Sequence, residues 1–282
     1  MKLASFRHKN IDSWGIVDGD TIVNVGAELR KEFSDLRAAI AGGALDRAAS
    51  LAAGAPHFPL SEISWLPVIP NPSKILCIGL NYETHRVETG REPTGHPAVF
   101  TRFADSQIGH DTPILRPRVS TALDYEGELA VIIGKGGRYI ARDQAMAHVA
   151  GYACYNDASI RDWQRHTIQF TPGKNFPGTG AFGPVMVTPD EVPDYRALKL
   201  ETRVNGQTLQ SASLDKLIFS IPVLIEYCSS FTPLSPGDVI ATGTPGGVGF
   251  KREPQLFLKP GDRVEVEITS VGTLVNHIAD EH

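Results

Sequence analysis

Asp124-Tyr125-Glu126-Gly127-Glu128-Leu129-Ala130-Val131-Ile132-Ile133-Gly134 is the stretch around which the chain is organised. Its second half, Leu129 to Ile133, is an unbroken apolar run rich in β-branched residues, the composition of a strand buried on both faces. Its first half is acidic. Side chains alternate along a strand, so Asp124, Glu126 and Glu128 are expected to project to one side, with neighbours about 6.6 Å apart along the backbone. Carboxylates at that spacing, leading into an apolar core, repel one another unless positive charge lies between them. A hard divalent cation held by oxygen ligands resolves the conflict, and a solvated acidic strand end is the plain alternative.

Composition narrows the classes. The chain has 282 residues, of which 41% are hydrophobic and 21% charged, as in ordinary globular proteins with a sizeable core. The formal net charge of -5 argues against nucleic acid as a partner, because phosphate-backbone binding needs a basic patch. The first residues, Met1-Lys2-Leu3-Ala4-Ser5-Phe6-Arg7-His8-Lys9, lack a signal-peptide core, and no run approaches the roughly 18 apolar residues of a membrane span, so a cytoplasmic location and no membrane partner are expected. Cys77, Cys154 and Cys228 are widely spaced in apolar surroundings and read as small buried hydrophobes in a reducing compartment.

An Asp18-Gly19 turn predicts a hairpin between Trp14-Gly15-Ile16 and Ile22-Val23-Asn24-Val25. Residues 34–53, rich in Ala, Leu and Arg, predict one or two short helices broken at Gly42-Gly43. Prolines crowd residues 56–72, and this predicts a boundary: a small N-terminal α/β domain over 1–69 and a main body over 70–282. Beyond it strands are expected at 75–79, 98–101, 112–115, 128–133, 185–188, 198–204, 238–242, 263–269 and 273–278, with an Asn205-Gly206 hairpin turn. Helices are expected only over 142–149 and 222–229, the latter with Ser220 as cap and Pro222 in its first turn. The fold class is therefore mostly β with a few helices, α+β rather than regularly alternating. Gly178-Thr179-Gly180-Ala181-Phe182-Gly183 matches a dinucleotide-binding spacing, but prolines flank it and a strand follows where the motif needs a helix.

Four further segments carry chemistry-bearing residues. In Asn81-Tyr82-Glu83-Thr84-His85-Arg86-Val87-Glu88, a helical turn would set His85 and Glu88 on one face, the carboxylate orienting a general base; a surface His-Glu contact is the alternative. Asp157 follows the apolar run Gly151 to Tyr155, so it is placed at a strand end where a third carboxylate can join Glu126 and Glu128. Arg161 and Gln164, three apart, suit a substrate carboxylate or a developing oxyanion, or else belong to a salt-bridge ladder. Lys174 stands amid loop residues, and Ile240-Ala241-Thr242-Gly243-Thr244-Pro245-Gly246-Gly247-Val248-Gly249 runs from a strand into residues that offer hydroxyl and amide donors to a small anion.

Taken in order, Gly79-Leu80-Asn81-Tyr82 with His85 and Glu88, the acidic stretch from Asp124 to Gly134, Asn156-Asp157 with Ser159, Arg161, Asp162 and Gln164, Gly173-Lys174, and Pro236 to Gly249 resemble the motifs of the fumarylacetoacetate hydrolase family, over roughly residues 70–280. The resemblance implies a mixed β-sandwich roll, a homodimer, and Mg2+ or Mn2+, with Ca2+ as a substitute, on Glu126, Glu128 and Asp157. It places a His85-Glu88 dyad on a segment that acts as a lid in relatives. Arg161, Gln164 and Lys174 match residues that bind and polarise substrate oxygens, Lys174 counting among the catalytic groups, and Thr244 matches a contact to the substrate carboxylate. Asp124 matches no usual ligand. Where many relatives have Phe-x-Lys-Pro, this chain has Phe100-Thr101-Arg102-Phe103, so Arg102 replaces a lysine that is substrate-facing or structural.

The expected substrate is a small anionic keto acid. The leading expectation is metal-dependent hydrolysis of a carbon-carbon bond in a 2,4-diketo acid of the acylpyruvate or fumarylpyruvate type, with His85 and Glu88 activating water. The alternative uses the same metal-enolate site without water attack, for oxaloacetate-type decarboxylation or for isomerisation of a hydroxymuconate-like or 2-hydroxyhepta-2,4-diene-1,7-dioate substrate. A metal-stabilised binding domain without chemistry is the third reading.

Overall fold

The structure is a computed structural model that describes all residues from Met1 to His282. Two sheets carry it. The larger, of 12 strands, runs in spatial order His57–Pro59, Thr21–Val23, Ile11–Asp18, Lys2–His8, Gly180–Val187, Val149–Asp157, Gly127–Ile133, Val239–Ala241, Ile75–Gly79 and Ala98–Arg102, with two short strands pairing off this path. The smaller, of 5 strands, runs Gln207–Ser213, Lys199–Val204, Arg263–Ile268, Gly272–Asp280 and Ile114–Arg116. Leu129, Val131 and Cys154 of the larger sheet share one core with Leu200, Val264, Val266 and Leu274 of the smaller, so the sheets pack face to face as a mixed α+β sandwich roll.

Gly127–Ile133 is buried throughout, between antiparallel Val149–Asp157 on one side and antiparallel Val239–Ala241 on the other. This explains its unbroken apolar run: both faces are covered. The hairpin at Asp18-Gly19 forms, with Asp18 opposite Thr21, and Asn205-Gly206 closes Lys199–Val204 onto Gln207–Ser213. Helices Leu36–Ala41 and Leu45–Leu51 flank Gly42-Gly43. Arg142–His148 is a 3-10 helix, and Ile221–Phe231 an α-helix with proline in its first turn; Ser220 precedes it without a capping side-chain bond. The strand Gly180–Val187 runs through the glycine-rich segment, and no helix follows that would aim amides at a pyrophosphate.

The expected boundary at 69/70 is crossed by both backbone pairing and packing. Lys2–His8 hydrogen-bonds directly to Gly180–Val187. Leu3, Trp14, Val25 and Leu36 pack in one core cluster with Ile75, Ala130, Tyr155, Phe182 and Val239. Proline density marks a chain crossing over the sheet, and strand order is decided by pairing partners more than a hundred residues away. No helix is long and apolar enough to cross a membrane.

Candidate active site

The acidic stretch does not run as one strand. Leu123–Asp124 pairs with Ser159–Ile160 in a separate two-stranded sheet, and the long strand starts only at Gly127. Gly127 sits where the chain passes beneath the smaller sheet, since a Cβ there would come within 2.0 Å of Thr202 Oγ1. The break sends Asp124 away from its neighbours. Its carboxylate accepts from the amides of Gly249 (2.8 Å) and Phe250 (3.1 Å) and from Arg161 Nε (2.8 Å). Three acids on one face were expected; two remain, and Asp124 anchors the loop that covers them.

Glu126, Glu128 and Asp157 converge, with one oxygen from each within 4.8 Å of the others, all buried. Asp157 ends its strand one register step beyond Asn156, which faces Gly127, so strand pairing itself brings Glu126 and Asp157 together. Lys174 Nζ lies 2.5 Å from Glu126 Oε2 and 2.5 Å from Asp157 Oδ2. Arg161 Nη2 is 2.6 Å from Glu126 Oε1, and its Nη1 donates to Gln164 Oε1 at 2.9 Å. Gln164 thus keeps its amide NH2 as a donor.

Arg102 is buried behind this cluster. It donates to Asp157 Oδ1 at 2.7 Å, to the Ala158 carbonyl and to Thr179 Oγ1, and it does not line the cavity. The structure thus places this sequence-predicted substrate contact where it holds Asp157 in position.

The electrostatics follow from this wiring. Burial opposes ionisation of Glu126, but Arg161, Lys174 and His85 outweigh it and hold the carboxyl well below the usual range. Glu128 goes the other way. Burial, then Asp157, then Glu126 push it well up, and its one hydrogen bond is from the Gly243 amide at 2.9 Å. Burial acts to lower the Lys174 ammonium, yet Asp157 and Glu126 leave it raised. Asp124, Glu126 and Asp157 form ion pairs with Arg102, Arg161 and Lys174, whereas Glu128, the fourth buried carboxyl, forms none. An all-oxygen donor set with an unpaired carboxyl fits a hard divalent cation.

His85 lies on helix Glu83–Glu88 and is 7% exposed. Its Nδ1 is 2.8 Å from Glu88 Oε1, which leaves Nε2 free. Glu88 in turn accepts from the Gly247 amide at 2.9 Å. The threonine- and glycine-rich segment was expected to offer donors to a substrate anion. Its amides instead go to the protein's own carboxylates: Gly243 to Glu128, Gly247 to Glu88, Gly249 and Phe250 to Asp124. Gly243, at φ +106°, is required there, because a Cβ would meet Asn81 Cβ at 2.7 Å. Thr244 lines the cavity, but its hydroxyl is committed, donating to the Gly127 carbonyl and accepting from Gln210 Nε2.

His85, Glu126, Glu128, Arg161, Gln164, Lys174 and Thr244 all line one cavity of about 490 Å³. Phe100, Phe170 and Phe250 supply apolar wall, and Arg91 and Arg165 stand in it as well. Glu88 and Asp157 sit just behind the lining. Residues 74–279 match the model of the fumarylacetoacetate (FAA) hydrolase C-terminal domain.

The chain belongs to the fumarylacetoacetate hydrolase family.

Among its relatives in the family, an oxaloacetate tautomerase of Bacillus subtilis is 46% identical over 225 residues, 78% of this chain and 75% of the relative. A mitochondrial oxaloacetate tautomerase of Bos taurus is 42% identical over 231 residues, 81% of this chain and 74% of the relative. The crystal structure of maleylpyruvate hydrolase from Sphingobium sp. SYK-6, in complex with manganese(II) ion and pyruvate, superposes with a TM-score of 0.84 at 28% identity, covering 100% of both chains. The protein is an enzyme of this family, and its acidic triad together with the manganese-bound relative supports a divalent metal.

Sequence reasoning passed over Phe250, Arg91 and Arg165. Their only signal in the sequence was proximity to recognised motifs: Arg91 lies three residues past Glu88, and Arg165 directly follows Gln164.

Proposed function

We propose that the enzyme interconverts the enol and keto forms of a small 2-oxo acid of the oxaloacetate type. Support comes from two directions. The relatives that share 42% and 46% identity are named oxaloacetate tautomerases. Within the cavity, His85 is the one base with a free ring nitrogen, whereas Lys174 and Glu126 are paired to each other. That nitrogen is the observation on which the base's role rests, and it serves water activation and proton transfer at carbon alike. The tautomerase relatives tip the balance, so that of the reactions weighed from the sequence enolate chemistry without water attack is better supported than acylpyruvate hydrolysis.

Glu126, Glu128 and Asp157 would hold a divalent cation, which would supply Lewis-acid polarisation of a 2-oxo acid. Glu88 accepts a hydrogen bond from His85 Nδ1–H and so favours the tautomer with its lone pair on Nε2. His85 Nε2 takes a proton from C3 of the keto form to leave the enolate, and the protonated imidazole then delivers that proton to the 2-oxygen, giving the enol; in the reverse direction it takes the enol O–H proton and returns it to C3. Gln164 Nε2 offers a hydrogen bond to the substrate oxygen as charge develops on it. Phe100, Phe170 and Phe250 keep bulk water from the acidic end.

Product analysis tests the reading. Enol-oxaloacetate supplied to the Mg2+- or Mn2+-loaded enzyme is expected to convert to the keto form without release of pyruvate or carbon dioxide, and chelator should abolish the acceleration. Rapid cleavage of acylpyruvates with no tautomerase activity would return the hydrolase reading to first place.

A further inference from the structure

The cavity has two chemically different ends. The inner end holds the carboxylate triad, whose neighbouring cations are all spent: Arg161 on Asp124 and Glu126, Lys174 on Glu126 and Asp157. The mouth holds Arg91 and Arg165, which line the same cavity, are exposed, and have no carboxylate within salt-bridge distance. Their neighbour Arg86 shows the contrast, since it is paired with Glu83. The Arg91 backbone and the Arg165 side chain are nevertheless held in place. The Arg91 carbonyl accepts from Arg86 Nη1 directly after the turn at Gly90, φ +67°. The Arg165 guanidinium lies 4.3 Å from the centroid of the Phe250 ring, over which Arg161 also stacks. Arg165 is pushed below its ordinary range by burial and then by Arg161 and Arg91, so these cations sit close enough to repel one another. Asp124 offsets this only in part, so like charges destabilise the empty mouth and an arriving anion relieves them.

We propose that Arg91 and Arg165 form a second anion subsite, which receives the distal carboxylate of a 2-oxo dicarboxylate whose 2-oxo acid end lies at the triad. The inference deepens the proposed function and rests on its reading of the inner end. A monocarboxylate of the same length leaves both guanidiniums unpaired, so the subsite selects dicarboxylates. Because the arginines follow directly on the segments that carry His85 and Gln164, pairing with them also orders the two walls that present the base and the amide donor.

The test is calorimetric titration of the full-length, Mg2+-loaded protein with 2-oxoglutarate and with 2-oxopentanoate, acids of equal backbone length that differ in the distal carboxylate. The wild type is expected to bind 2-oxoglutarate about tenfold more tightly, the lower end for charge-assisted hydrogen bonds because the arginines are exposed. The R91Q/R165Q double variant should bring the ratio near one by weakening 2-oxoglutarate far more than 2-oxopentanoate, and R91K/R165K should retain part of the preference. Equal binding of the two acids by wild type, or an undiminished preference in the double glutamine variant, overturns the subsite while leaving the inner end intact. Failure of both acids to bind overturns the reading of the inner end and the subsite with it, and binding of 2-oxopentanoate alone overturns the subsite.

Discussion

Glu128→Gln is the substitution whose outcome the charge arrangement dictates most sharply. Glu128 is buried, has no basic partner, and stands beside two other carboxylates. In metal-free protein the amide replaces a carboxyl that burial, Asp157 and Glu126 drive to take up a proton on folding, while still able to accept from the Gly243 amide at 2.9 Å. Relief of about 1–2 kcal/mol is expected, since a buried carboxylate without a cation is among the costliest of groups. For a chain of this length about 1 kcal/mol corresponds to roughly 2 °C in Tm, so metal-free E128Q should melt about 2–4 °C above metal-free wild type. The cation reverses the order. At a free concentration about a hundred times its Kd, a cation stabilises wild type by about 2.7 kcal/mol, or roughly 5 °C. E128Q lacks one anionic ligand and should show little of that shift. Thermal melts of both proteins, in chelator and in a Mg2+ or Mn2+ series, read all four quantities. An E128Q protein that keeps the wild-type cation shift, or that melts well below wild type in chelator, would refute the assignment of the triad as a cation site.

Two further outcomes follow from the wiring around the site. R102A removes the fork that holds Asp157 and leaves that buried carboxylate with Lys174 alone, so urea denaturation should show a loss of about 3–5 kcal/mol; an unchanged midpoint would contradict a structural role for Arg102. His110 is held below its ordinary range by burial, and its Nδ1 accepts from the Val275 amide, which requires the neutral ring. Its folded pKa lies below its unfolded one, so its contribution to stability is complete above about pH 6.5 and is lost as pH falls toward the folded value. Urea midpoints of wild type should therefore fall more steeply than those of H110Q between neutral pH and pH 5. Parallel profiles would remove His110 as the cause.

Much of this was legible in the chain because local patterns and tertiary outcome agreed. Leu129 to Ile133 read as a doubly buried strand, and Glu126, Glu128 and Asp157 read as a triad, because two strand ends carry them and those strands pair. Asp124 was misplaced because alternation assumes an unbroken strand, and the break at Tyr125-Glu126 depends on how Gly127 passes Thr202, some seventy-five residues on. The glycine loop was read as a receptor for an outside anion because its donors were visible and their partners were not. Those partners, Glu128, Glu88 and Asp124, come from two distant segments. The proline-rich segment read as a connection between an N-terminal domain and the main body, since nothing near Lys2 to His8 announces pairing with Gly180–Val187. Arg102 illustrates the same limit: a motif position was legible, but the direction of its side chain depended on Asp157 and Thr179.

The central claim is that His85 moves a proton at the carbon next to a 2-oxo group held at the acidic triad. Exchange of the C3 protons of 2-oxoglutarate for deuterium, followed by proton NMR in heavy water with the Mg2+-loaded enzyme, measures that step without any bond being cleaved. The account predicts enzyme-dependent exchange that stops with chelator and falls by about two orders of magnitude or more in H85A, with E88Q intermediate. Exchange in H85A at the wild-type rate, or none in wild type under conditions where the acid binds, would contradict it.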